Sequence, residues 1–241
     1  MKTIVDVIKK LDDLVTEMSK ALARGDFELA EKINEEYCML EEKHDLMDRM
    51  FEQDGKVGLK DVLGKILVPP IYCGFTELYS YTIKRGEPVV AVDECGKKAL
   101  VTTDGEGTPV TPFAYNFITV MECTGYYVCV KIADGKVSMG LLSSTGAEVV
   151  PCEMDTIYAC VNGYIPFEKC GKYGVLTPDG VCVAPIYDDM RCDENWMIRV
   201  VSGARNGYID AAGVLVDDKT NVATVGLRPI SVLDDIMSFQ Y

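Results

Sequence analysis

One repeated spacing constrains this chain more than any other feature. Gly58-x5-Gly64, Ala99-x5-Gly105, Gly140-x5-Gly146, Gly174-x5-Gly180 and Gly207-x5-Gly213 begin 41, 41, 34 and 33 residues apart. A proline follows the second glycine in the first four units, at Pro70, Pro112, Pro151 and Pro185. Gly-Lys precedes the first, at Gly55-Lys56, Gly96-Lys97, Gly135-Lys136 and Gly171-Lys172. Self-similarity at this period marks stacked supersecondary units, none of which buries its apolar face alone.

The fourth unit is the clearest to read. Residues 175–176 are expected as a strand, 177–180 as a tight polar turn with Asp179-Gly180 at its end, and 181–184 as a second strand ended by Pro185. Residues 196–201 are expected as a third strand, with counterparts at 89–92, 127–130 and 164–167. A unit is therefore three short antiparallel strands. The fifth reads as truncated, a hairpin within 207–216 with no third strand after it.

The first 54 residues differ. Ile4, Val7, Leu11, Leu14, Met18 and Ala21 form an apolar seam at helical spacing. Gly25 stands where a helix ends and Asp26 where the next begins. A second seam runs through Ala30, Ile33, Tyr37, Leu40, His44, Met47 and Phe51. So short a connection makes the two helices antiparallel. The expected fold is α+β: a helical hairpin over residues 1–54, then a mainly-β array of about four and a half three-stranded antiparallel repeats over 55–218. A tail over 219–241 follows, with a short helix expected at 232–239.

The fourth unit reads Gly171-Lys172-Tyr173-Gly174-Val175-Leu176, then Asp179-Gly180, then Pro185-Ile186-Tyr187-Asp188. This resembles the bacterial WG repeat, and the first unit repeats part of it at Gly55-Lys56-Val57-Gly58 and Pro69-Pro70-Ile71-Tyr72. The tryptophan position of that family holds Val57, Lys98, Met139, Tyr173 and Asn206 here. The resemblance implies a β-rich repeat module, usually without an assigned enzymatic activity. It transfers no catalytic residue.

Charge narrows the partners. The formal net charge is −14, and the first 54 residues hold half of it, with 8 basic and 15 acidic side chains. That field opposes nucleic acid and anionic membrane, so neither is expected as a partner. The charged and apolar residues alternating through the first fourteen do not form a secretory signal. A cytoplasmic location is expected, with the ten cysteines as small buried thiols rather than disulfides.

Catalytic motifs are not found. His44, the single histidine, lies on a helical seam. Gly58-x5-Gly64-Lys65 is one residue too long for a phosphate loop and lacks the following hydroxyl. Asp104-Gly105-Glu106-Gly107 lacks the ligand series of a calcium loop. The acidic doublets Asp188-Asp189, Asp217-Asp218 and Asp234-Asp235 place neighbouring carboxylates on opposite faces of a strand. No catalytic, cofactor or metal site is expected. The candidates are aromatic: Tyr79, Tyr81, Tyr126, Tyr164 and Trp196 fall between the proline and the third strand of their units. Stacking would align them in a row. The structural residues are the repeat glycines Gly58, Gly64, Gly105, Gly140, Gly146, Gly174, Gly180, Gly207 and Gly213. The expected function is a non-catalytic interaction module for a protein or peptide. The hairpin would dock on the array or make a homo-oligomer. The alternatives are glycan or small-ligand binding through the aromatic row, and an acidic antagonist of the immunity-protein kind.

Overall fold

A computed structural model describes residues 4–44, 49–61, 64–76, 86–121, 124–218 and 223–230. Two helices are followed by small antiparallel sheets. Helices α1 (Ile4–Ala23) and α2 (Phe27–His44) pack along their seams, burying Leu11, Leu14 and Ala21 against Ala30, Ile33 and Tyr37. The Asp26 carboxylate accepts the Leu29 amide at 3.2 Å, capping α2 as its position implies. A Lys10–Glu36 ion pair bridges the two helices. The second seam was expected to reach Phe51, but α2 is described as far as His44 and Met50–Gln53 is a strand. Met47 lies outside the described residues, as do Tyr79 and Tyr81, most of the tail and its expected helix.

Five sheets follow. The first is β1 (Met50–Gln53), β2 (Lys56–Lys60) and β3 (Ile66–Tyr72); the second is β4 (Gly74–Thr76), β5 (Val89–Val92) and β6 (Lys98–Val101). The third is β7 (Phe117–Met121), β8 (Tyr126–Ala133), β9 (Lys136–Ser143) and β10 (Glu148–Met154). The fourth is β11 (Thr156–Ile157), β12 (Ile165–Lys169), β13 (Lys172–Leu176) and β14 (Cys182–Tyr187). The fifth adds β15 (Asp189–Asp193), β16 (Ile198–Ser202), β17 (Arg205–Ile209), β18 (Leu215–Asp217) and β19 (Thr224–Val225), in the order β18-β17-β16-β15-β19. The chain divides into two compact units, Met1–Glu94 with Val101–Pro109, and Cys95–Leu100 with Val110–Tyr241.

The sheets cut the repeat at a different point from the sequence spacing. The third strand of one unit pairs with the first strand of the next: β8 with β9, β12 with β13, β16 with β17. Two-residue turns join them, and at Asp134-Gly135 and Cys170-Gly171 both residues have positive φ, from 50° to 73°. Such turns follow the natural strand twist. Strands β17 and β18, the expected hairpin of the fifth unit, complete a sheet that β15 and β16 began. The kernel remains a three-stranded meander.

The first position of each spaced pair, Ala99 in the second unit and glycine in the others, sits mid-strand, not in a turn. A Cβ on Gly140 would stand 2.7 Å from the Cα and amide nitrogen of Cys152, and one on Gly207 would overlap the Val216 carbonyl. At Gly58, Gly140 and Gly174 the next strand shifts register and folds across the bare backbone, as between Val150 and Met154. Pro70, Pro151 and Pro185 lie inside β3, β10 and β14 rather than ending them. These are edge strands of their sheets, where a missing donor is tolerated.

A corner residue links each sheet to the next. Cys73, Asn116, Asp155 and Asp188 donate their amides to the carbonyls of Val92, Val130, Glu168 and Val201, at 2.8–2.9 Å. Asp155 and Asp188 also accept the turn amides of Cys170 and Gly203, at 2.6 and 2.7 Å. Before these corners stand the buried Tyr72, Tyr115, Met154 and Tyr187. Within the second unit, the sheets stack as the repeat requires. Val128, Val130, Leu141 and Val150 of the third sheet pack against Ile165, Phe167 and Leu176 of the fourth. Val175 and Tyr187, on the opposite face of the fourth, pack against Ile198, Val200 and Ile209 of the fifth.

Candidate partner-binding turn

Five turns in the array share one construction. In each, the first residue's amide donates to the carbonyl four residues on, and the fourth residue's amide donates back to the first carbonyl. The first residue's side chain then accepts the fifth amide. The series starts at Asp61, Ser143, Thr177, Asp193 and Asp210, with backbone bonds of 2.8–3.1 Å. The side-chain bonds reach Lys65, Ala147, Val181, Met197 and Val214, at 2.8–3.2 Å. The fourth position is left-handed every time. Gly64, Gly146, Gly180 and Gly213 occupy it with φ of 78–84°, and Trp196 occupies it with φ of 60°.

Trp196 is thus an indole where the same backbone elsewhere demands glycine. Left-handed geometry costs a side-chain-bearing residue about 1–2 kcal/mol. Burial does not repay it, because Trp196 is 63% exposed. It was expected within a third strand; β16 begins at Ile198, and Trp196 is on the β15–β16 turn instead.

The turn is firmly held from below. Asp193, whose side chain is fully buried, accepts the amides of Asn195 and Met197 on one oxygen and the Arg199 Nε on the other at 2.8 Å. Burial pushes the Asp193 carboxyl up, but the Met197 amide, the Arg199 guanidinium and the Asn195 amide together hold it below the usual carboxylate range. Arg199 also reaches Asp218 at 2.6 Å and lies over the Tyr208 ring, 5.5 Å from its centroid. Its charge is reinforced by Asp218 first and Asp193 next, against the cost of burial. Strand β19 pairs with Cys192 and Asp193 along the outer edge and leaves Val225 exposed beside the turn.

The other aromatic candidates among the described residues, Tyr126 and Tyr164, do not join Trp196. Tyr126 is half-buried against the core between the third and fourth sheets, and Tyr164 against that between the fourth and fifth. They face two different cores, so they do not make one exposed row. Among the described aromatic side chains of the array, Trp196 alone is exposed. Sequence reasoning found Trp196 by its type but missed its turn. The signal was present: Asp193-x-x-Trp196 has the spacing of Asp210-x-x-Gly213.

The acidic doublets split as expected, each carboxylate having its own partner. Asp188 pairs with Lys172 and Asp189 with Arg191; Asp217 pairs with Arg205 and Asp218 with Arg199. Asp234-Asp235 lies outside the described residues. The Asp104 carboxylate, in the stretch considered for calcium, accepts the Thr102 hydroxyl and the Glu106 amide within its own loop. The nine described cysteines carry free thiols, but they are not uniformly buried: Cys38, Cys73, Cys95, Cys170 and Cys182 are exposed. Cys95 and Cys170 sit at hairpin turns between strands, where no core reaches them. No described helix is long and apolar enough to cross a membrane.

No protein-family model matches the chain, and no curated protein matches it. Among solved structures it is similar to virginiamycin B lyase from Staphylococcus aureus, at a TM-score of 0.23 and 15% identity. The alignment covers 71% of this chain and 54% of that one, so the chain spans about half the length of the lyase.

Proposed function

We propose that this chain is a non-catalytic interaction module whose β array presents Trp196 to a protein or peptide partner. The observation that carries this is the exposed indole at a left-handed turn position. A residue that strains the backbone without packing does its work elsewhere. Tryptophan is enriched among the few residues that dominate binding energy at interfaces. The buried Asp193–Arg199 pair braces the turn, so the backbone that carries the indole is ordered before binding. The array is read as a divergent WG-type repeat. In support, the Pro-x-Tyr-Asp segment ending at Asp188 supplies a strand, a buried ring and a corner carboxylate.

The test uses the full chain as bait, with Trp196→Gly beside it. The variant should keep the fold and lose the partner that the natural chain captures. Because Trp196 is the only tryptophan, its emission should shift to the blue when the recovered partner is added. Equal recovery by the glycine variant would overturn the proposal.

A further inference from the structure

Cys129 and Cys152 are buried thiols that the binding role does not use. Cys129, on β8, faces Gly140 across the ladder with β9. Directly opposed residues project to the same face of a sheet. On the other side of β9, the register shift in β10 carries Cys152 across that same face. Its Cα and amide nitrogen lie 2.7 Å from where a Gly140 Cβ would be. The Cys152 Sγ is 3.6 Å from the Cys129 carbonyl oxygen and 3.4 Å from that of Ser138. Strands separated by a third normally stand about 9–10 Å apart, which is too far for a disulfide. Here the bare glycine and the shifted strand remove that separation.

We propose that Cys129 and Cys152 form a dithiol pair that closes to a disulfide under hydrogen peroxide, fastening β8 to β10 across Gly140. The Cys152 thiolate attacks one peroxide oxygen, the O–O bond breaks, and the other oxygen leaves as water after taking a proton. The Cys129 sulfur then attacks the sulfenic acid, the S–O bond breaks, and a second water departs. Two thiols and one peroxide give one disulfide and two waters, with two electrons passing from sulfur to peroxide.

The surroundings suit this order of events. The hydrogen bond from Cys129 is the main influence lowering the Cys152 thiol, opposed by burial and aided by the Lys131 ammonium. The same bond and burial push the Cys129 thiol up. Lys131 is held by Glu148 at 3.6 Å and lies 4.9 Å from the Tyr115 ring centroid. The Tyr115 hydroxyl in turn donates to Glu148 at 3.2 Å.

The experiment blocks the exposed thiols of the native full chain with a bulky maleimide, adds hydrogen peroxide, then denatures and alkylates. A non-reducing digest should yield one peptide linking Cys129 to Cys152, and the intact mass should fall by two hydrogens. The oxidised chain should melt above the reduced one, and Cys152→Ser should abolish both changes. Recovery of the two residues as alkylated thiols, or as separate sulfinic or sulfonic acids, would overturn the proposal. So would a cross-link that lowers the melting temperature, since the bond would then not fit the native spacing.

Discussion

The helical hairpin and the β array bury their apolar residues by opposite means. In the hairpin, each helix carries its whole apolar face in a local pattern, and its buried cluster is composed of helix residues alone. In the array, apolar residues are arranged by pairing between successive strands, with glycines where one strand crosses another. The fourth sheet buries both faces, which is why Val175 and Leu176, adjacent in sequence, belong to different cores. Periodicity protects the hairpin: a change at one seam position spoils one contact layer. The array has no such redundancy at Gly140 and Gly207, because a backbone and not a movable side chain fills the space.

Four substitutions would break or sharpen this comparison. Gly207→Val should have the largest effect, about 4 kcal/mol or more of lost stability, because the Val216 backbone cannot withdraw without unpairing β18. A normal melting curve for this variant would mean the strand can move aside. Leu14→Asp should cost about 3 kcal/mol by placing a charge in the hairpin core. It should reduce helical ellipticity while leaving the β signal intact; simultaneous loss of both would show that the hairpin also supports the sheets.

Asp193→Asn should cost about 2 kcal/mol by leaving Arg199 with one carboxylate instead of two. The same residue gives a pH signature. Its carboxyl is held low in the folded chain, so its contribution is complete above the ordinary carboxylate range. That contribution fades as the pH falls through the lowered folded value. Denaturation curves taken from neutral to acid pH should show a smaller acid-side loss for Asp193→Asn than for the natural chain; parallel losses would refute this. The smallest effect should be a gain. Trp196→Gly relieves the left-handed turn and should add about 1 kcal/mol. No increase in stability would mean the turn is not strained there.

The hairpin was largely legible, because helical spacing is a local property and the cap at Asp26 is read from its neighbours. Its end was not: Phe51 continues the three-four spacing, yet it pairs with Gly58 in a sheet. Pairing partners on another strand outweigh periodicity at such a boundary. The repeat was legible as spacing, but its cut points were not. Gly-Lys was visible as a recurring pair, whereas its part in hairpin turns shows only when the strands on either side are seen to pair. Two tyrosines of the expected aromatic row show a related effect. Tyr126 and Tyr164 hold matching places in the repeat, and stacking turned them to separate cores.

The sequence by itself determined the helical seams and the glycine-turn spacing, since each follows from residue type at short range. Only the tertiary structure decided which strands share a sheet, why the mid-strand glycines cannot carry a side chain, and that Trp196 stands strained and exposed while Tyr126 and Tyr164 do not. Those outcomes depend on which backbone comes to lie beside which, and that is set by strand register and by the stacking of one sheet on the next.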